Sequence, residues 1–318
     1  MSRVKGLTLV ELLIAMVLGV FVLSAVFGVF VSSSISVTST GQYNQIQESA
    51  RLALRLMSDD LSQAGFYAGL TGTSLTTRNV SVDAVVNNDC VGLGENNASV
   101  PAGRGHFRTI WSYRQSAVPS MDCTQQALLG SHVLQVKRLL GPNVAATALS
   151  ENRYYLVSNH AQARLFAGNQ QAPVLVQGRY WQWQHRVYYV ERRDDGMPVL
   201  KWRQLYVNGG MVEEELVEGV EMLQFLFAVD SLGDGRVDSY ITASAMSEAQ
   251  WDGVVEVLAV TVYLVVRAAN DDQGGISDGR LRLTLPDGVV SYDDGIPRRL
   301  FSTTVMVRNA ALVAEGAG

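Results

Sequence analysis

Gly6-Leu7-Thr8-Leu9-Val10-Glu11 opens directly onto an uninterrupted apolar run, Leu12–Val31. That run contains no charge and a single hydroxyl, Ser24. At a helical rise of about 1.5 Å per residue it spans about 30 Å, the thickness of a bilayer's hydrocarbon core. A carboxylate at the mouth of such a segment costs a few kcal/mol, so Glu11 is a functional candidate by default.

Two ordinary readings compete for this N-terminus. A secretory signal peptide has a shorter apolar region followed by small residues at a cleavage site, whereas here Val31-Ser32-Ser33-Ser34 passes straight into a polar helical pattern. A plain signal anchor accounts for the length and for the basic Arg3 and Lys5. It does not account for Gly6 just before the apolar stretch, nor for Glu11 five residues later.

The combination resembles the type IV prepilins. Their signature is a short basic leader ending in Gly, cut on the cytoplasmic side, with Glu as fifth residue of the mature chain. The resemblance implies cleavage between Gly6 and Leu7, methylation of the new amine at Leu7, and an assembly role for Glu11. It departs at Leu7, where major pilins usually carry Phe, and at Gly28, where many carry a helix-breaking Pro. The chemistry fits each part. Gly6 lets a peptidase approach the backbone. Cleavage removes the leader's charges, which hold it in the cytoplasm. A buried α-amine is tolerated chiefly when paired, and Glu11 of a neighbouring subunit is the expected partner.

Further stretches extend the resemblance. Leu216-Val217-Glu218-Gly219-Val220-Glu221-Met222-Leu223-Gln224-Phe225 looks like a strand of PilW-type minor pilins. Arg298-Arg299-Leu300-Phe301-Ser302-Thr303-Thr304-Val305 and Arg308-Asn309 look like the closing strand of that family and of related J-type pseudopilins. Ser49-Ala50-Arg51, Asp60-Leu61 and Ala64-Gly65-Phe66 match the end of the family's long helix. Residues 70–210 match weakly. The implied partners are other minor and major pilins, a prepilin peptidase and N-methyltransferase, and an inner-membrane assembly platform. The implied location is the inner membrane, with the head in the periplasm, and then the surface pilus. Twitching motility, adhesion and DNA uptake are processes the resemblance covers. The competing readings are a minor pseudopilin of type II secretion and a membrane-anchored periplasmic binding protein or enzyme that never polymerises.

Composition narrows the rest. The 318 residues carry a net charge of −5, and loss of Arg3 and Lys5 with the leader takes it to −7. That balance argues against a general nucleic-acid grip, which needs clustered Lys and Arg. The pair Arg298-Arg299 reads as solvated charge. Cys90 and Cys123 are the only cysteines and fit no zinc spacing. Outside the cytoplasm, where disulfides persist, they are expected to bridge, stabilising the fold by about 4 kcal/mol in the chain-entropy picture. The alternative is two unrelated buried thiols.

The expected organisation is a leader (1–6), a transmembrane and assembly helix (7–31), its amphipathic continuation (32–65), an irregular stapled region (66–130) and a β-rich head (131–318). Tyr43, Ile46, Ala50, Leu54, Met57, Leu61 and Ala64 recur at helical spacing, with Asp59 and Asp60 among the residues of the polar faces. Gly65 is the expected stop. After Gly130 the pattern becomes strand: His132–Lys137, Tyr154–Ser158, Tyr180–Val190, Leu200–Val207, Leu223–Val229, Val254–Val266 and Leu300–Val307. Asp194-Asp195-Gly196, Asn208-Gly209-Gly210 and Asp271–Gly275 read as turns, the first two as hairpin signals. The fold class is α+β and pilin-like, with a long N-terminal helix packed on a largely antiparallel sheet.

Other chemistry is sparse. In Asp230–Asp238, the acids Asp230, Asp234 and Asp238 fit positions one, five and nine of a calcium loop around Gly235. Leu232 and Ile241 break the pattern, and an Asp-Gly turn reads the same residues equally well. Ca2+ is thus the one candidate ion, and no other cofactor is expected. Asp271-Asp272 and Asp293-Asp294 read as solvated turns. His106, His132, His160 and His185 lack metal-ligand spacing, and no P-loop, dinucleotide fingerprint or Gly-x-Ser-x-Gly elbow occurs. Tyr180, Trp181 and Trp183 read as an exposed aromatic patch or as core. Nothing in the residues points to an enzyme.

Overall fold

A computed structural model describes residues 8–268 and 280–309. It divides into two compact units, 1–45 and 46–318. One helix, α1 (Leu9–Ser62), runs through the whole apolar segment and on into the amphipathic one. With no proline before Pro101, nothing interrupts its hydrogen-bond ladder. Gly65, at φ +74°, takes the left-handed conformation that ends the turn after it.

In the first unit every side chain of the segment Leu9–Ser34 is exposed. In the second, α1 buries Ile46, Ala50, Ala53, Met57 and Leu61 against the sheets, a three-to-four spacing that puts all five on one face. Tyr43, part of the expected stripe, is exposed. Asp60, expected on a polar face, is instead buried.

The strands follow in chain order: β1 (Val80–Val82), β2 (Ile110–Arg114), β3 (His132–Val144), β4 (Tyr154–Ser158), β5 (Ala163–Ala167), β6 (Arg179–Arg192), β7 (Pro198–Tyr206) and β8 (Gly210–Glu218). These eight form one sheet in the order β1-β5-β4-β6-β3-β2, with β7 and β8 continuing from β6. Only the short β1–β5 pair is parallel. The fourteen-residue β6 is long enough to serve two neighbours on one edge, β4 along Arg179–Trp183 and β7 along Arg186–Arg192. Segment 66–130 contributes β1 and β2 to this sheet, alongside the strands that follow residue 131.

A second sheet orders β9 (Val220–Asp230), β10 (Ser239–Thr242), β11 (Glu256–Arg267) and β14 (Arg298–Met306) as β10-β9-β11-β14. Between β11 and β14 in the chain, β12 (Leu281–Leu285) and β13 (Gly288–Tyr292) pair as a hairpin. Strand β9 packs on β3, β6 and β7, so the main core lies between the two sheets.

The stretch Leu216–Phe225, read as one strand, is two. Gly219 sits at φ +84°, and a Cβ there would lie 2.6 Å from the Arg267 carbonyl oxygen. Its N–H donates to Pro198 O and its carbonyl accepts from Arg267 N, both at 2.8 Å. The chain therefore leaves the first sheet at Glu218 and enters the second at Val220. Strand β8 escapes a pattern reading because Glu213-Glu214-Glu215 masks its alternation. As an outer strand it meets β7 in register, Glu213 opposite Arg203, Glu214 opposite Trp202 and Glu215 opposite Lys201, and such charge protects an edge from further strand pairing. The expected turn at Asp271–Gly275 and the pair Asp271-Asp272 lie outside the described residues.

Candidate functional site

The N-terminus of α1 is built as a reciprocal cap. Thr8 N and Thr8 Oγ1 donate to Glu11 Oε2 at 2.9 and 2.8 Å, and Glu11 N donates to Thr8 Oγ1 at 3.3 Å. Leu12 N donates to Thr8 O, the first bond of the helix. This is a capping box, in which two otherwise orphaned N–H groups are satisfied by the partner's side chain. Thr8-x-x-Glu11 is legible in the sequence, yet attention to the charge of Glu11 alone overlooks it. Among the described residues Glu11 Oε1 accepts no hydrogen bond. Gly6 and Leu7 lie outside the described residues.

Beyond the cap, Leu9–Ser34 has a mean hydropathy of 2.8 and none of it is buried. Leu, Val, Ile and Phe side chains project on all sides, so this surface needs lipid or other apolar helices around it. The one hydroxyl within the run is satisfied internally, Ser24 Oγ donating to Val20 O at 2.8 Å.

In the second unit two buried acids tie elements together. Asp60 of α1 receives Arg138 of β3 (Nη2 at 2.7 Å, Nε at 3.0 Å), Arg186 of β6 (Nη1 at 3.1 Å) and the Tyr188 hydroxyl (2.5 Å). Burial first, and then the Asp60 charge, push the Tyr188 hydroxyl well above its ordinary pKa. Arg298 is not solvated charge. Its Nε and Nη2 donate to both carboxylate oxygens of Glu221, and its Nη2 donates to Asp294 Oδ2 at 2.6 Å. The guanidinium also stacks over Tyr292 at 4.1 Å. Asp294, read as part of a solvated turn, is held at a pKa of about 2, chiefly by Arg298.

The Asp230–Asp238 loop is closed on itself. Asp230 accepts from the N–H groups of Leu232, Gly233 and Gly235, Asp238 from Ser231 and Leu232, and Asp234 from Arg236. Burial raises the pKa of Asp230, but the N–H donors of Gly235, Gly233, Leu232 and Asp234 outweigh it and hold the carboxyl below its usual range. Among the described residues no group of three His, Cys, Asp or Glu side chains converges as a metal site. The geometry is that of a turn.

Cys90 and Cys123 form a disulfide, with Cα atoms 5.5 Å apart across 33 residues. Trp183 is buried and stacks on Tyr67 at 5.6 Å, Trp181 packs edge-on against Phe66 at 5.4 Å, and the Tyr180 hydroxyl donates to Pro173 O. These aromatics are core and its margin rather than an exposed patch. His132 Nε2 bonds Asp287 Oδ2 at 2.7 Å and His185 Nδ1 bonds Ser99 Oγ at 2.6 Å.

Comparison with known proteins adds two family matches. The family described as Type IV Pilus-assembly protein W matches residues 187–309, and the prokaryotic N-terminal methylation motif matches residues 1–27. Among solved structures, a type IV-like pilin from Thermus thermophilus aligns at 11% identity and a TM-score of 0.38, over 84% of this chain and 97% of that one. No curated protein matches. The matched families are structural rather than enzymatic.

Proposed function

We propose, from the premise that the two family matches support, a type IV pilus minor pilin of the PilW type, that this chain waits in the inner membrane and is then drawn into a filament by its N-terminal helix. The observation that carries the reading is the pairing of a methylation motif with a helix whose apolar surface is uncovered on every side. In the membrane, lipid covers that surface. In a filament, the equivalent helices of neighbouring subunits cover it, through close packing rather than a hydrophobic gradient.

In this reading a peptidase cuts between Gly6 and Leu7, and the Leu7 amine is methylated. Glu11 then supplies axial register: Oε2 is engaged by Thr8, and Oε1 is open to the amine of an adjacent subunit. The head meets other minor pilins in a priming or tip complex. Mass spectrometry of the N-terminus of protein recovered from cells tests this. A mature chain starting at methylated Leu7 is the expected result, and a chain retaining its first six residues overturns the reading. Deletion of the gene separates a pilus role, which removes surface pili, from a secretion role, which removes exoproteins.

A further inference from the structure

Beneath the loop that carries Cys90, a set of polar side chains lies sealed in the core: Asn97, Ser99, Gln135, Lys137 and His185 are each at most 1% exposed. Lys137 is the anomaly. No carboxylate among the described residues pairs with it, and its Nζ donates to Asn97 Oδ1 at 3.0 Å while lying 4.3 Å from the centre of the Phe107 ring. Burial drives its pKa well below the ordinary range, with Asp89 opposing and Arg108 reinforcing the shift, and so favours the neutral amine, whose nitrogen carries a free electron pair.

The carboxamide facing it is activated and immobilised. Gln135 Nε2 donates to Asn97 Oδ1 at 2.5 Å and is itself anchored to Arg108 O at 3.2 Å. Asn97 Nδ2 donates to Leu93 O at 2.9 Å. A base stands alongside. His185 is the residue directly opposite Lys137 in the β3–β6 register, a distance over which cross-strand side chains touch. Ser99 Oγ donates to Asp89 Oδ1 and so accepts from His185 Nδ1–H. That tautomer leaves the electron pair on His185 Nε2, which has no partner among the described residues although it is buried.

We propose that Lys137 and Asn97 join spontaneously through an amide between Nζ and Cγ, releasing ammonia and cross-linking the folded chain. Nζ adds to Cγ, and the carbonyl π pair moves onto Oδ1, where the Gln135 N–H stabilises the charge. The surplus proton of Nζ passes to His185 Nε2 and on to Asn97 Nδ2. The Cγ–Nδ2 bond then breaks, the carbonyl reforms and ammonia departs. No oxidant, metal or cofactor is required. Holding both reactants in one water-free pocket supplies the proximity that makes an otherwise very slow aminolysis feasible.

The test is a peptide map of the full chain, purified from membranes in detergent, reduced, alkylated and cut with trypsin. Asn97 lies in the peptide 79–104 with Cys90, and Lys137 ends the peptide 115–137 with Cys123, so full reduction must come first. The expected product is a branched species joining 79–104 to 115–138, lighter than the two peptides by one ammonia, with trypsin no longer cutting after the acylated Lys137. Asn97→Ala is expected to abolish it. Asn97→Asp forms the same branch by loss of water, and His185→Gln slows its appearance. Full recovery of separate linear peptides from the wild-type chain overturns the proposal, whatever the variants do. Persistence of the branch in Asn97→Ala overturns the assignment of the bond.

Discussion

Asp60, near the end of α1, and Arg138, on β3, form a buried ion pair, Nη2 to Oδ1 at 2.7 Å, across 78 residues of sequence. Arg186 and Tyr188 share the same carboxylate, so one acid sets where the helix meets two strands. Removing one partner of such a pair leaves an uncompensated buried charge, worth about 3–5 kcal/mol. Asp60→Ala is therefore expected to lower the unfolding free energy obtained from denaturant titration by about that much. A loss below 1 kcal/mol would show that water reaches the site.

Glu11 combines a cap and a charge, and the two separate by mutation. Glu11→Gln keeps the capping box, since Gln serves at the same position, and removes the charge. It is expected to insert in the membrane normally and to be missing from sheared pili. Thr8→Val removes the cap and keeps the charge, costing the helix end about 1 kcal/mol, with pilus incorporation largely retained. Immunoblots of pilus and membrane fractions check both.

Arg298 links β14 to Glu221 in β9, although β11 lies between those strands. Its fork geometry lets it grip Glu221 and Asp294 together, which an ammonium cannot do. Arg298→Lys is expected to lose part of the stability and Arg298→Met about 3–5 kcal/mol, because Glu221 remains buried without its partner. Thermal unfolding of the two variants against wild type reads the difference.

Gly219→Ala places an L side chain at φ +84° with its Cβ 2.6 Å from Arg267 O. The conformation alone is unfavourable by about 1–2 kcal/mol, and the backbone clash adds to it. A lower melting midpoint is the expected readout.

The histidines give the pH dependence. Burial first lowers the pKa of His106, with Asp252 opposing; burial lowers that of His185 well below the ordinary 6.5. Below about pH 6.5 the unfolded chain therefore binds protons that the folded chain refuses, and stability falls as pH falls. The melting midpoint is expected to decline between about pH 7 and pH 5, and a His106→Asn variant to flatten part of that slope. A midpoint constant over this window contradicts the assignment. Asp230 and Asp294, depressed below 3.8, extend the loss to more acid pH.

What the sequence determined by itself is whatever depends on near neighbours in the chain. Membrane length, the Gly6/Glu11 spacing, the helical period from Ile46 to Leu61 and most of the long strands are local patterns, as are the stretches that resemble PilW-type pilins. The Cys90–Cys123 bridge is the expected pairing of two cysteines outside the cytoplasm, and the structure forms it. Tertiary structure alone decided the rest. Asp60 and Arg298 look like surface charge until partners 78 and 77 residues away close on them. The break at Gly219 is dictated by a carbonyl on β11. Lys137 meets Asn97 only when β3 slides beneath a loop with no periodicity of its own. Burial is a property of the packed whole, and it turns ordinary polar residues into ties and reactive pairs.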